Sequence, residues 1–232
     1  MRPSDPSDPT APPTSLRERK KQQTRARISA AASLLFVERG FDAVSVAEVA
    51  EAAEVSKMTV FNYFPRKEEL FLDRAPEALD LVTAAVRGRP AGTGPLAALR
   101  DLALDLAERR HALGGIGDGL PPFWRTVLGS PALRAYVREF AESLEDRLAG
   151  LLAAEGAPPA EARFTAALGT TALRTLHTAA AGRILAGESA DAVAATHPAL
   201  IARTFAAAEA AAARFAVGEP SAGARESDHQ GG

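Results

Sequence analysis

Residues 45–67, SVAEVAEAAEVSKMTVFNYFPRK, constrain this chain more than any other stretch, because their caps and breakers leave room only for two short helices and a tight turn. Ser45 followed by Glu48 is a capping-box pair, in which each side chain satisfies the other residue's backbone N–H and so starts a helix. Val46, Val49, Ala50 and Ala53 then recur at i, i+3, i+4 and i+7, giving that helix one apolar stripe. Glu54-Val55-Ser56 interrupts the run, and Ser56 can cap a second helix over residues 57–64. There Val60, Phe61 and Phe64 can face inward while Lys57, Thr59, Asn62 and Tyr63 point out. Pro65 ends it, since the residue before a proline is pushed out of helical geometry. Two helices on a three- to four-residue turn form a helix-turn-helix, whose second helix enters a major groove. Double-stranded DNA is therefore the leading partner.

Charge agrees with that reading. Residues 15–67 hold ten Lys/Arg against six Asp/Glu, whereas residues 68–232 hold sixteen against twenty-one. All four lysines, Lys20, Lys21, Lys57 and Lys67, fall in the first segment. A basic head on an acidic body suits a protein that meets a polyanion with its head alone.

The remainder reads as helix throughout, so the expected fold class is all-α. An amphipathic helix is expected over about 16–39, with Ile28, Ala31, Ala32 and Leu35 on its apolar face and Gly40 as its terminator. A fourth helix is expected from Arg66-Lys67 to about Arg87, then a breaker cluster over 88–95. Leu96, Leu99, Leu102, Ala103 and Leu106 form the next stripe, and a glycine-rich loop over 114–122 separates it from the short apolar segment 123–128. A long stripe from Leu133 to Leu152 precedes helices over about 160–185 and 198–217. The domain layout that follows is a tail over 1–14, a helix-turn-helix domain over 15–67, a connecting helix over 68–90, a helical domain over 91–218 and a tail over 219–232. The Pro/Ser/Asp-rich and Gly/Ser-rich ends cannot bury apolar surface and are read as disordered.

Several function classes find no support. The apolar stretches are broken by charge, which argues against a membrane span, and the first residues do not form a signal peptide. The absence of cysteine excludes disulfides and thiolate metal sites and fits a reducing cytoplasm. His111, His177, His197 and His229 lie on separate segments without metal-ligand spacing, and neither a nucleophile elbow nor a phosphate-binding loop is present. No catalytic residue, metal or cofactor is expected.

Residues from about 20 to 72 resemble the DNA-binding domain of the tetracycline-repressor family of bacterial regulators. The matching features are Phe36-Val37-Glu38-Arg39-Gly40-Phe41 closing a basic first helix, then Ser45-Val46-Ala47-Glu48-Val49-Ala50, then Val55 through Leu70 with its Phe64-Pro65-Arg66-Lys67 step. The resemblance implies that Lys57, Met58 and Asn62 lie nearest base edges, and that Thr59 and Tyr63 bond phosphates through their hydroxyls. It further implies a phosphate contact from Lys67, one from Ser45 at the start of the second helix, and outer contacts from Arg25 and Arg27. Two positions depart from the family's habit: Glu54 stands where glycine is common, and Phe61 where tyrosine is frequent.

The resemblance also implies a homodimer that binds a palindromic operator as a repressor and is released by a small, mostly apolar effector enclosed by the second domain. Pocket candidates are Phe123, Trp124, Tyr136 and Phe140, with His111 and His177 as polar handles; the same side chains also suit an ordinary core. The last two helices are rich in small residues that permit close approach, and Thr171, Thr175, Ala208 and Ala212 are the candidate dimer contacts. Alternatives are a DNA-binding regulator without a small ligand and a helical enzyme carrying a helix-turn-helix.

Overall fold

The computed structural model describes residues 16–117 and 119–217. Both expected tails lie outside the described residues. Among these, all regular structure is helical, in nine α-helices and two short 3₁₀ turns. The chain forms two compact units, one ending at Asp73 and the other beginning at Arg74.

In the first unit α1 (Leu16–Arg39) is followed by α2 (Val46–Ala52) and α3 (Lys57–Tyr63). Ile28, Ala32 and Phe36 repeat every four residues along α1 and are fully buried. Phe36 packs against Phe41 and Phe71 with ring centroids 4.9 and 5.9 Å apart. Gly40, at φ 87°, turns the chain out of α1 and returns its N–H to the Phe36 carbonyl. The capping box forms as expected: the Glu48 N–H donates to Ser45 Oγ and the Ser45 N–H to Glu48 Oε2. Ser56 caps α3 by accepting from the Thr59 N–H.

The expected fourth helix does not run unbroken from residue 66. Residues Lys67–Leu70 form a 3₁₀ turn, and α4 spans Ala75–Arg87. Pro76 explains the break, because it lacks an N–H and is tolerated only in a helix's first turn.

The second unit continues with α5 (Pro95–Glu108), α6 (Leu120–Gly129), α7 (Pro131–Ala154), α8 (Pro159–Leu185) and α9 (Ala190–Val217). Its core joins Val82 and Val86 of α4 to leucines of α5 and α7, small residues of α8, and Ile201 and Phe205 of α9. Gly169 lets α8 approach α5 closely, since a Cβ there would stand 2.7 Å from Leu99 Cδ1. A smaller cluster gathers Ile116, Ala180, Ile184, Ala190 and Val193. That cluster explains a second departure: α9 begins eight residues before Pro198, because burying Ala190 and Val193 and capping by Ser189 Oγ stabilise the extra turns. The interior proline removes one helical hydrogen bond, a cost the packing offsets.

Candidate nucleic-acid interface

The surface of α3 follows from its inward stripe. Val60 and Phe64, four residues apart, are buried, which turns Lys57, Met58 and Asn62 outward. Met58 is 69% exposed. Phe61, expected to face inward, is instead 40% exposed, because it stands about 100° around the helix from Val60. The Lys57 ammonium lies 5.9 Å from the centre of its ring. Thr59 shares a 2.8 Å hydrogen bond with Ser56 Oγ, and Tyr63 is half-buried. Glu54, where glycine is usual, adopts the left-handed conformation at φ 52°, and the following Val55 N–H donates to the Ala50 carbonyl.

Around this helix the expected phosphate ligands divide. Ser45 and Arg27 are exposed. The Ser45 backbone N–H, helped by Arg39, which pairs with Glu48 at 2.6 Å, lowers the Glu48 pKa to about 2. Lys67 donates to the Phe41 carbonyl at 2.6 Å, and burial lowers its pKa from the usual lysine value. Arg25 is drawn into the unit: it donates to the Tyr63 and Asp73 carbonyls and lies over the Phe64 ring.

In the second unit the two expected polar handles are already engaged. His111 Nδ1 accepts from the Leu113 N–H and so caps a 3₁₀ turn over Ala112–Gly114. Its Nε2 lies 3.3 Å from Arg74 Nη2 and 3.4 Å from Glu77 Oε1. Both ring nitrogens of His177 lie 2.8 Å from carbonyl oxygens, those of Leu173 and Leu113, and the ring packs on Gly115. Phe123 and Trp124 meet edge to face with centroids 5.1 Å apart, and Tyr136 and Phe140 are half-buried on α7. Among the described residues, Trp124 Nε1 and Thr170 Oγ1 are buried polar atoms without a hydrogen-bond partner. A groove of about 610 Å³ lies between the end of α5 and the start of α9, lined by Leu104, Ala107, Arg110, Asp191, Ala194 and Pro198 among others. None of the six expected pocket residues lines it.

The small-residue face of α9 is rotated from its expected position. Ala208 is buried in the chain's own core and Ala212 packs beside it, both continuing the stripe of Ile201 and Phe205. An outward alanine stripe instead runs through Ala199, Ala202, Ala206, Ala210 and Ala213, and Thr171 and Thr175 of α8 are exposed.

Comparison with known proteins gives this geometry a context. Residues 28–73 match the sequence profile of the bacterial regulatory proteins of the tetR family. The HTH-type transcriptional regulator TcmR of Streptomyces glaucescens is 35% identical over 161 residues, covering 66% of this chain and 68% of that protein. The HTH-type transcriptional activator FasR of Mycolicibacterium smegmatis is 34% identical over 67 residues, 29% of this chain and 31% of that one. The crystal structure of NalD, the secondary repressor of the MexAB-OprM multidrug efflux pump in Pseudomonas aeruginosa, shares the fold with a TM-score of 0.50 at 20% identity, covering 79% of this chain and 96% of that one. No helix among the described residues is long and apolar enough to cross a membrane.

Proposed function

This chain belongs to the tetR family of bacterial regulatory proteins, DNA-binding transcriptional regulators, and on that premise we propose that it is a dimeric repressor released from a palindromic operator by a small, mostly apolar effector. The observation that carries the reading is the outer face of α3. Lys57, Met58 and Asn62 stand exposed together on a helix whose start is fixed by Ser56 and whose inner side is anchored by Val60 and Phe64. Lysine and asparagine at base edges select sequence, while hydroxyls and further cations on phosphates fix register. Thr59, Tyr63, Ser45, Arg27 and Lys67 supply the phosphate set. Lys67 spends one N–H on Phe41 and keeps its others for an anion.

A single reading helix per chain needs a second copy to match a two-fold site. The outward alanines of α9, with Thr171 and Thr175, offer a surface on which two copies approach closely. A ligand shifts such a dimer between states only by its differential affinity for them. The buried, unpartnered indole N–H of Trp124 and hydroxyl of Thr170 favour an effector that carries a hydrogen-bond acceptor on an apolar body. His111 and His177, already bonded within the chain, hold the loop beside α5 and α8 and do not serve as ligand handles. Turnover plays no part in this mechanism.

The test is selection of bound sequences from random duplexes by the full chain, followed by titration of the selected duplex. A palindromic site bound by two chains, with log K falling linearly in log salt, is expected. Binding by a monomer, or without salt dependence, overturns the reading. Transcription from a promoter bearing the selected site then separates repression from activation, the role for which FasR is named.

A further inference from the structure

We propose that Arg25 is a positioning residue that fixes the pose of the DNA-reading helix and is not a phosphate ligand. Its two terminal nitrogens are both engaged: Nη1 donates to the Tyr63 carbonyl at 3.1 Å and Nη2 to the Asp73 carbonyl at 3.0 Å. The central carbon of the guanidinium lies over the Phe64 ring, 4.2 Å from its centre, and Phe64 is itself 1% exposed. Tyr63 is the last residue of α3, so its carbonyl is one of those a helix end leaves without an intrahelical partner. Pro65, two residues on, has no N–H to offer it. A cation at this end also complements the helix dipole. One turn further along α1, Ser29 Oγ donates to the Asp73 carboxylate at 2.6 Å. Helix α1 thus grips the end of α3, the aromatic cap that follows it, and the last residue of the unit.

The geometry requires arginine. A planar fork reaches two carbonyls from two separate nitrogens while lying over a ring, which the single ammonium of lysine cannot do. Tyr63 and Asn62 sit in the last turn of α3, so the carbonyl contact sets the orientation of the side chains that face DNA. Two of its five N–H groups are committed to these carbonyls, so any phosphate contact would fall to the remaining N–H groups with the guanidinium held where it is. The inference rests on α3 as the DNA-reading helix, and the experiment keeps the two apart.

Arg25→Lys and Arg25→Ala are compared with the parent as full chains. Three readouts are taken: the ratio of affinities for the selected operator and a random duplex, the slope of log K against log salt, and amide exchange of free protein at Phe64, whose N–H bonds the Val60 carbonyl. In both variants the ratio is expected to fall by about tenfold or more, within what one base contact contributes. Phe64 protection should fall with it, while the salt slope stays at the parent's value. A slope reduced by about 0.9 per site in Arg25→Ala and restored in Arg25→Lys, with preference and protection intact, identifies a phosphate ligand and overturns the proposal. If Arg25→Ala fails to fold, Arg25→Lys decides alone, and full preference with full protection there also overturns it. If the parent selects no sequence, the reading of α3 fails, while amide exchange still decides whether Arg25 holds the helix.

Discussion

The ammonium of Lys67 donates to the Phe41 carbonyl at 2.6 Å while lying 4.3 Å from the centre of the same residue's ring. One cation therefore joins the 3₁₀ turn after α3 to the loop after α1. Lys67→Met keeps the apolar stem and removes the donor, so it should destabilise the protein by about 1–2 kcal/mol, read as a lowered thermal midpoint. If the remaining N–H groups meet a phosphate, the same variant weakens specific and random duplexes alike and reduces the salt slope by about 0.9 per site. An unchanged midpoint refutes the first role; an unchanged slope leaves Lys67 with the structural role alone.

Contacts on α3 should separate by kind. Lys57→Ala and Asn62→Ala are expected to relax preference at particular base pairs, costing on the order of 1–3 kcal/mol on the selected site. Tyr63→Phe removes only a hydroxyl proposed for phosphate and should weaken all duplexes about equally. Competition titrations against single-base variants of the operator distinguish the two. Equal loss on every duplex for Lys57→Ala reassigns that lysine to the backbone.

What the sequence discloses depends on how local the determinant is. Both short helices were legible because Ser45 with Glu48, Ser56 and Pro65 act within a turn of their own positions. The start of α9 was not, since it is decided by Ala190 and Val193 packing on Ile184 at the end of α8 and on Ile116, remote in sequence, and Pro198 suggested a later start. In an alanine-rich helix the inward face carries little contrast with the outward one. Only Ile201 and Phe205 distinguish them, which is why Ala208 was expected outside and lies inside. Arg25 showed its charge but not its destination, because two backbone carbonyls leave no trace in a pattern of side chains.

Rotation of the α9 face gives a two-sided test of the dimer. Ala206→Glu and Ala210→Glu place a charge on the exposed side and should yield a folded monomer by light scattering, with operator affinity lost. Ala208→Glu places it in the core beside Phe205 and should cost several kcal/mol of stability as an unpaired buried charge. Dimers persisting in both exposed variants would move the interface elsewhere.

Glu54 holds the left-handed conformation at φ 52°, where a Cβ is unfavourable and glycine is not. Relief of that strain exceeds the extra backbone entropy that glycine loses on folding, so Glu54→Gly should stabilise by about 0.5–1 kcal/mol. Glu54→Val, branched at Cβ, should destabilise. Chemical denaturation of the three proteins ranks them, and a glycine variant weaker than the parent contradicts the strain argument.

His197 is 3% exposed, and burial, reinforced by His177 and Arg183, lowers its pKa below the usual value of 6.5. Lowering means the folded state resists a proton that the unfolded chain accepts. The unfolded state therefore binds more protons once the pH falls below 6.5, and stability declines from there until the folded pKa is passed. The slope that one such group contributes is at most about 1.4 kcal/mol per pH unit. His197→Gln removes the titration, so its stability should vary less than the parent's between neutral pH and pH 5, whatever the fixed cost of substitution. Denaturation midpoints of both proteins across that window decide the matter, because parallel curves would show that His197 takes up its proton equally well folded and unfolded.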